Sequence, residues 1–214
     1  MVDHGPRFPR HQMVWVEPSA WEAVLQEHGA LDADPLIRNW AANGWPLVVR
    51  SRTCEEQAQL LPAGIPVPPA HGKKRYAFRI DADLVIRAEE PPLVALAATV
   101  APRSWRSSIS AVAELNAGTR CFGSLCWEYL TGLSYLTPES DLDLLWQVAS
   151  EPEADQLGRG IAQIDGRSPT RIDGEFITPA AAGIQWREWH SAAPTLMAKT
   201  PVGPRLLARD QAFT

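Results

Sequence analysis

Cysteine is scarce in this sequence, and its placement excludes two chemistries. The 214 residues hold three cysteines, Cys54, Cys121 and Cys126. The number is odd and no Cys-x-x-Cys spacing occurs, so neither a disulfide framework nor a zinc site is expected, and the thiols read as reduced core or near-core groups. His11, His28, His71 and His190 also lack metal-ligand spacing and are assigned no chemistry. Long apolar runs are missing: no stretch approaches a membrane span, and Met1 to Arg10 carries charges and prolines where a signal peptide would be apolar. A cytoplasmic chain without a membrane partner is expected. There is no basic excess either. A net charge of -5 disfavours nucleic acid and leaves only a local Lys/Arg cluster to meet an acidic partner.

What is present is ordinary globular composition, 45% hydrophobic and 21% charged, in a chain long enough to bury one large core or two small ones. Nine tryptophans are scattered without a fixed period and read as packing residues, not as a repeat. Met13 to Val16 reads as a strand. Ser19 is a candidate N-cap for a helix from Ala20 to His28 that Gly29 stops, and a second helix is expected over Pro35 to Asn43, with Gly44 as its stop. Leu47 to Arg50 reads as a strand. Four prolines between Leu61 and Pro69 predict a rigid extended loop, followed by a strand in which Tyr76, Phe78 and Ile80 alternate with smaller or polar residues. Pro91-Pro92 closes this half. The boundary is placed near residue 95, giving an N-terminal α+β domain over 1–95 and a second domain over 96–214.

In the second domain, a helix is expected from Pro102 to Asn116, a strand from Thr119 to Phe122, a helix from Leu125 to Thr131 and a strand from Ser140 to Val148. A Gly- and acid-rich surface loop is expected next. Arg171 to Thr178 and Ile184 to Trp189 read as a hairpin turning at Pro179 to Gly183, and Thr195 to Lys199 and Arg205 to Ala208 as edge strands. This half is mixed α+β.

The informative segment runs from Cys121 to Trp146. A strand that ends in Gly123-Ser124 at a helix start offers backbone N–H groups and a hydroxyl to an anion, and the missing side chain lets a phosphate approach. Asp141 and Asp143, two apart on a strand, project to one face while Leu142 and Leu144 face the core. Carboxylates that close repel unless a cation lies between them, and Mg²⁺ is the hard ion suited to oxygen ligands and phosphates. Singly, a Gly-Ser turn or an Asp-x-Asp edge is commonplace; the pair in this order is specific.

This arrangement resembles the polymerase-β type of nucleotidyltransferase, which implies a mixed sheet with helices on one side and a nucleotide-like triphosphate held with metal ions. The longer form, Gly-Ser-Leu-x-Trp-x-x-Leu-Thr-Gly-x-x-Tyr-Leu and then Ser-Asp-Leu-Asp-Leu-Leu-Trp, resembles the phosphoribosyl-dephospho-CoA transferases of malonate decarboxylase, its holo-acyl-carrier-protein synthases. Gly44-Trp-Pro-Leu-Val-Val-Arg50, Gly72-Lys-Lys-Arg75, Asp173-Gly-Glu175 and Trp186-Arg-Glu188 extend the resemblance over nearly the whole chain from about His11.

The resemblance implies transfer of the phosphoribosyl-dephospho-CoA group from 2'-(5-triphosphoribosyl)-3'-dephospho-CoA to a serine of the apo acyl carrier subunit, with release of diphosphate. It also implies that Asp141 and Asp143 coordinate Mg²⁺ and that Gly123 and Ser124 bind the terminal phosphates. Asp173 is the expected third carboxylate, with Glu175 as the substitute, although Asp173-Gly174 reads equally as a hairpin turn. Lys73, Lys74 and Arg75 are candidates for the CoA phosphates or the acidic carrier, or form a solvated surface. Lys199 and Arg187 are candidates for the triphosphate, or form surface ion pairs. Ser140 orients Asp141 or forms a turn. Two other functions compete: a nucleotidyltransferase that uses an ordinary nucleoside triphosphate, and a catalytically silent module that docks a carrier protein.

Overall fold

The computed structural model describes residues 8–27, 34–52 and 60–214. The chain is α+β and divides into two compact units, one ending at Glu90 and the other running from Pro91 to Thr214.

The first unit is an antiparallel sheet in the order β4-β3-β2-β1-β5, formed by β1 (Met13–Val16), β2 (Leu47–Val49), β3 (Leu60–Pro66), β4 (Arg75–Asp81) and β5 (Val85–Glu89). Helix α1 (Pro18–Gln26) begins after Glu17, with Pro18 in its first turn, so Ser19 lies inside the helix instead of capping it. The fixed φ of proline suits that first turn. The expected end of this helix at His28 and Gly29 lies outside the described residues, as does Cys54. Helix α2 is shorter than expected, Pro35–Arg38, capped by the Asp34 carboxylate accepting from Leu36 N. Asn39 leaves helical geometry and donates its side chain back to the Pro35 carbonyl, a local bond that competes with continuation.

The proline-rich segment corrects another expectation. As far as Pro66 it forms strand β3 between β2 and β4, while Pro68 and Pro69 lie beyond the strand at the start of a short 3-10 turn. The Pro62 carbonyl accepts from Arg50 N, so the N–H that Pro62 lacks falls on the β2 side, where β2 has already ended at Val49. Prolines survive in a strand where the neighbouring ladder is missing.

The second unit is a six-stranded sheet in the order β11-β10-β9-β8-β7-β6. Its strands are β6 (Arg120–Cys121), β7 (Leu142–Gln147), β8 (Ile172–Ile177), β9 (Gly183–Gln185), β10 (Thr195–Thr200) and β11 (Gly203–Ala208). Only β7 and β8 run parallel. Helices α3 (Val94–Ala97), α4 (Arg106–Leu115), α5 (Gly123–Thr131), α6 (Glu151–Asp165) and α7 (Trp186–His190) complete it.

The parallel pair needs a long crossover, and α6 supplies it where a surface loop was expected. Ser150 caps α6 by accepting from Glu153 N, and the Glu153 carboxylate reaches back to Ala149 N. This is a reciprocal cap that outweighs the helix-weakening glycines. Ala154, Leu157, Gly158 and Ile161 form its buried stripe. The expected strand through Trp189 is corrected as well: it ends at Gln185 and becomes α7, whose Trp186 and Trp189 are spaced to share a buried helical face. Eight of the nine tryptophans are buried, all but Trp45. Each fully buried indole is worth on the order of 4–6 kcal/mol of transfer free energy.

Candidate active site

Strand β6 delivers the chain through Phe122 into α5, so Gly123 and Ser124 form the first turn of that helix. Phe122 contributes no side-chain cap, and the first-turn N–H groups carry the partial positive charge that attracts anions. Phe122 N donates to the Asp143 carbonyl at 3.0 Å, which pins the turn to β7. Gly123 adopts φ +63°, and a Cβ there would lie 2.8 Å from Asp143 Cγ and closer still to a carboxylate oxygen. The Asp143 carboxylate therefore rests on the α-carbon of Gly123, and no larger residue fits.

Asp143 lies opposite Asp173 in the parallel register of β7 and β8, where strands run about 4.8 Å apart. Both side chains are half-buried. Asp141 immediately precedes β7, and its carboxylate has Arg171 Nη1 at 4.0 Å. Asp173 and Gly174 are paired residues of β8, so the hairpin-turn reading is replaced. Gly174 has φ +155°, and a Cβ there would lie 2.7 Å from the Trp146 ring and closer to the Leu144 carbonyl. Glycine at this position lets β8 approach β7 beside the acidic pair. Among the described residues, no three His, Cys, Asp or Glu side chains are gathered closely enough to hold a metal ion on their own.

Cys121 and Cys126 are buried free thiols behind this site. Burial pushes the Cys126 thiol well above its usual pKa, and the neighbouring Cys121 and the negative charge of Asp143 push it further. The thiolate is the reactive form. Cys126, with its thiolate disfavoured, and Cys121, shielded by burial, are expected to stay unmodified by maleimide at neutral pH until denaturant is added, as read by peptide mass spectrometry.

Two family models match residues 9–210 between them: the phosphoribosyl-dephospho-CoA transferase MdcG N-terminal domain over residues 9–91 and the C-terminal domain over residues 92–210. The chain belongs to the phosphoribosyl-dephospho-CoA transferase family. A phosphoribosyl-dephospho-CoA transferase of Bradyrhizobium diazoefficiens is 37% identical over 97% of this chain and 94% of its own length. One from Xanthomonas euvesicatoria is 32% identical over 95% and 96%, and one from Pseudomonas aeruginosa is 31% identical over 77% and 78%. No solved structure matches, and among the described residues no helix is long and apolar enough to cross a membrane.

In this member of the family the remaining candidates separate. Lys73, Lys74 and Arg75 lie in the first unit, exposed, at a tight turn with positive φ at Gly72 and Lys73 and at the start of β4. Arg187 takes the structural alternative: it pairs with Asp165 at 2.8 Å, donates to the Ile172 carbonyl and stacks on Trp186. Ser140 holds a turn by accepting from Thr137 N through its hydroxyl.

Lys199 pairs at 2.7 Å with Glu175, whose residue surface is only 4% exposed. Glu175 is two residues past Asp173 on β8 and shares its face of the sheet. Lys199→Met is expected to cost about 1–3 kcal/mol, because a buried carboxylate loses its charged partner. That corresponds to a Tm several degrees lower by circular dichroism, and a Glu175→Gln/Lys199→Met pair should lose less than the sum of its singles.

Proposed function

We propose that this chain transfers the phosphoribosyl-dephospho-CoA group from 2'-(5-triphosphoribosyl)-3'-dephospho-CoA to a serine of the apo acyl carrier subunit of malonate decarboxylase, in a polymerase-β-type, Mg²⁺-dependent nucleotidyltransferase site. The reading is carried by one observation: the Asp143 carboxylate packed on Gly123 at a helix start, with Asp173 opposite it across the sheet.

In this reading the serine oxygen bonds to the α-phosphorus of the donor, the bond between the α-phosphorus and its bridging oxygen breaks, and diphosphate departs. Gly123 and Ser124 hold the terminal phosphates with first-turn N–H groups and the hydroxyl. Asp173 faces the acceptor and takes its proton. Asp141 and Asp143 are the metal ligands: hard carboxylate oxygens, mutually repelling, fit a divalent cation whose remaining positions go to substrate phosphates. When bound, Mg²⁺ would neutralise charge on the triphosphate and on the departing diphosphate. Lys199, beside Glu175, supplies further positive charge to the triphosphate, and the exposed Lys73, Lys74 and Arg75 of the first unit offer a basic surface to the acidic carrier.

Intact-mass spectrometry of the apo carrier tests this after incubation with the chain, the triphosphate donor and Mg²⁺. The expected result is a mass gain equal to the phosphoribosyl-dephospho-CoA adduct. Transfer from ATP but not from this donor would replace the reading with an ordinary nucleotidyltransferase, and no adduct from either would leave a carrier-docking module.

A further inference from the structure

One carboxylate oxygen of Asp173 is fully committed. Asp173 Oδ1 accepts from Gly174 N at 2.9 Å and from Gln185 Nε2 at 2.8 Å. Gln185 ends β9, and its amide works in two directions, since Oε1 accepts from Glu188 N at 2.9 Å and so caps α7. Only the amide oxygen can accept from a backbone N–H, so the amide nitrogen must face the carboxylate. The glutamine cannot flip without losing both bonds.

The anchor is itself held in place. Gln185 lies opposite Glu175 in the antiparallel register of β8 and β9. Glu188, whose N–H fixes the amide, accepts from Met197 N on β10 through its carboxylate. The orientation of Asp173 is thus tied to β9, β10 and the start of α7, three elements distant from it in sequence. With two donors on Oδ1, the carboxylate is fixed in rotation and Oδ2 is the oxygen left for chemistry.

We infer that Gln185 is a positioning residue: its amide locks the Asp173 carboxylate so that Oδ2 is presented to the acceptor hydroxyl. This rests on the proposed role of Asp173. A residue that fixes the geometry of a reacting group acts on the transition state more than on ground-state binding of the donor.

Three variants separate this role from plain capping of α7. Gln185→Glu keeps an acceptor for Glu188 N and loses the donor to Asp173. It is expected to lower kcat about 10- to 100-fold, the range typical of lost outer-sphere hydrogen bonds, with the KM for the donor within about twofold. Gln185→Ala loses both bonds. It should show a similar kcat although it adds no charge beside Asp173, which separates loss of the donor from carboxylate repulsion. Differential scanning fluorimetry without added metal checks that both variants are folded. Asp173→Asn tests the underlying reading and should be nearly inactive. A Gln185→Glu protein with the kcat of the unmodified chain, alongside an inactive Asp173→Asn, would overturn the positioning role alone. An active Asp173→Asn would overturn the role of Asp173 and the inference with it.

Discussion

Gly123→Ala is expected to reduce transfer activity by about 100-fold or more, because a methyl group at this position claims the space of the Asp143 carboxylate. The added carbon would meet Asp143 Cγ at 2.8 Å and an oxygen nearer still. The carboxylate must rotate away or β7 must move. A displacement of about 1 Å at a reacting centre costs on the order of 100-fold in rate. The left-handed backbone at φ +63° adds about 1–2 kcal/mol of strain for a residue with a side chain, so Tm should fall too. Combining Gly123→Ala with Asp143→Ala relieves most of the clash, leaving only the residue-143 Cβ at 3.1 Å, and should restore part of the stability while leaving the protein inactive. That non-additivity is the signature of direct contact. Substantial transfer by Gly123→Ala in the carrier mass assay would mean that the carboxylate is not held against the helix start during the reaction.

Asp143→Asn should abolish transfer, by on the order of 10²–10³-fold or more, as expected when a group that stabilises transition-state charge is removed. Its effect on stability should have the opposite sign. Asp143 and Asp173 are opposite one another on adjacent strands, and like charges so close destabilise the fold in the absence of a cation. Neutralising one of them is expected to leave the Tm in metal-free buffer unchanged or raised. Adding Mg²⁺ should stabilise the unmodified chain by mass action and have a much smaller effect on the variant. A variant that keeps a tenth of the activity, or gains as much stability from Mg²⁺ as the parent, would remove Asp143 from the metal site.

The local elements that the sequence predicted well are those whose signal repeats within a few residues. Met13–Val16 is continuously apolar and is a strand, and the strand expected over Ser140 to Val148 is present as Leu142–Gln147. The helix expected over Leu125 to Thr131 is present, begins two residues earlier at Gly123 and stops before Gly132 at φ +71°. Where expectation failed, a residue-type rule was outweighed by a specific partner. Pro62 is tolerated in β3 because β2 ends beside it. The glycines of α6 are tolerated because Ser150 and Glu153 cap its start and its apolar stripe is buried. Trp186 to Trp189 turned from strand to helix because Gln185 caps the turn and both indoles bury on one side.

The candidate site divides in the same way. The sequence alone determined the order of its parts: a glycine-serine helix start, then Asp143 on a strand, then Asp173 on the next strand, with Asp141 falling just before its strand instead of on it. Periodicity and glycine chemistry act within a few residues and so are readable in one dimension. Only the tertiary structure decided that Asp143 rests on Gly123, that Asp173 is its parallel neighbour, that Glu175 is buried against Lys199, and that Gln185 holds Oδ1 of Asp173. Those contacts join residues on different strands, and strand register is set by how crossover helix α6 and the buried faces pack. That packing sums many weak interactions across the whole unit, and no local stretch of sequence carries it.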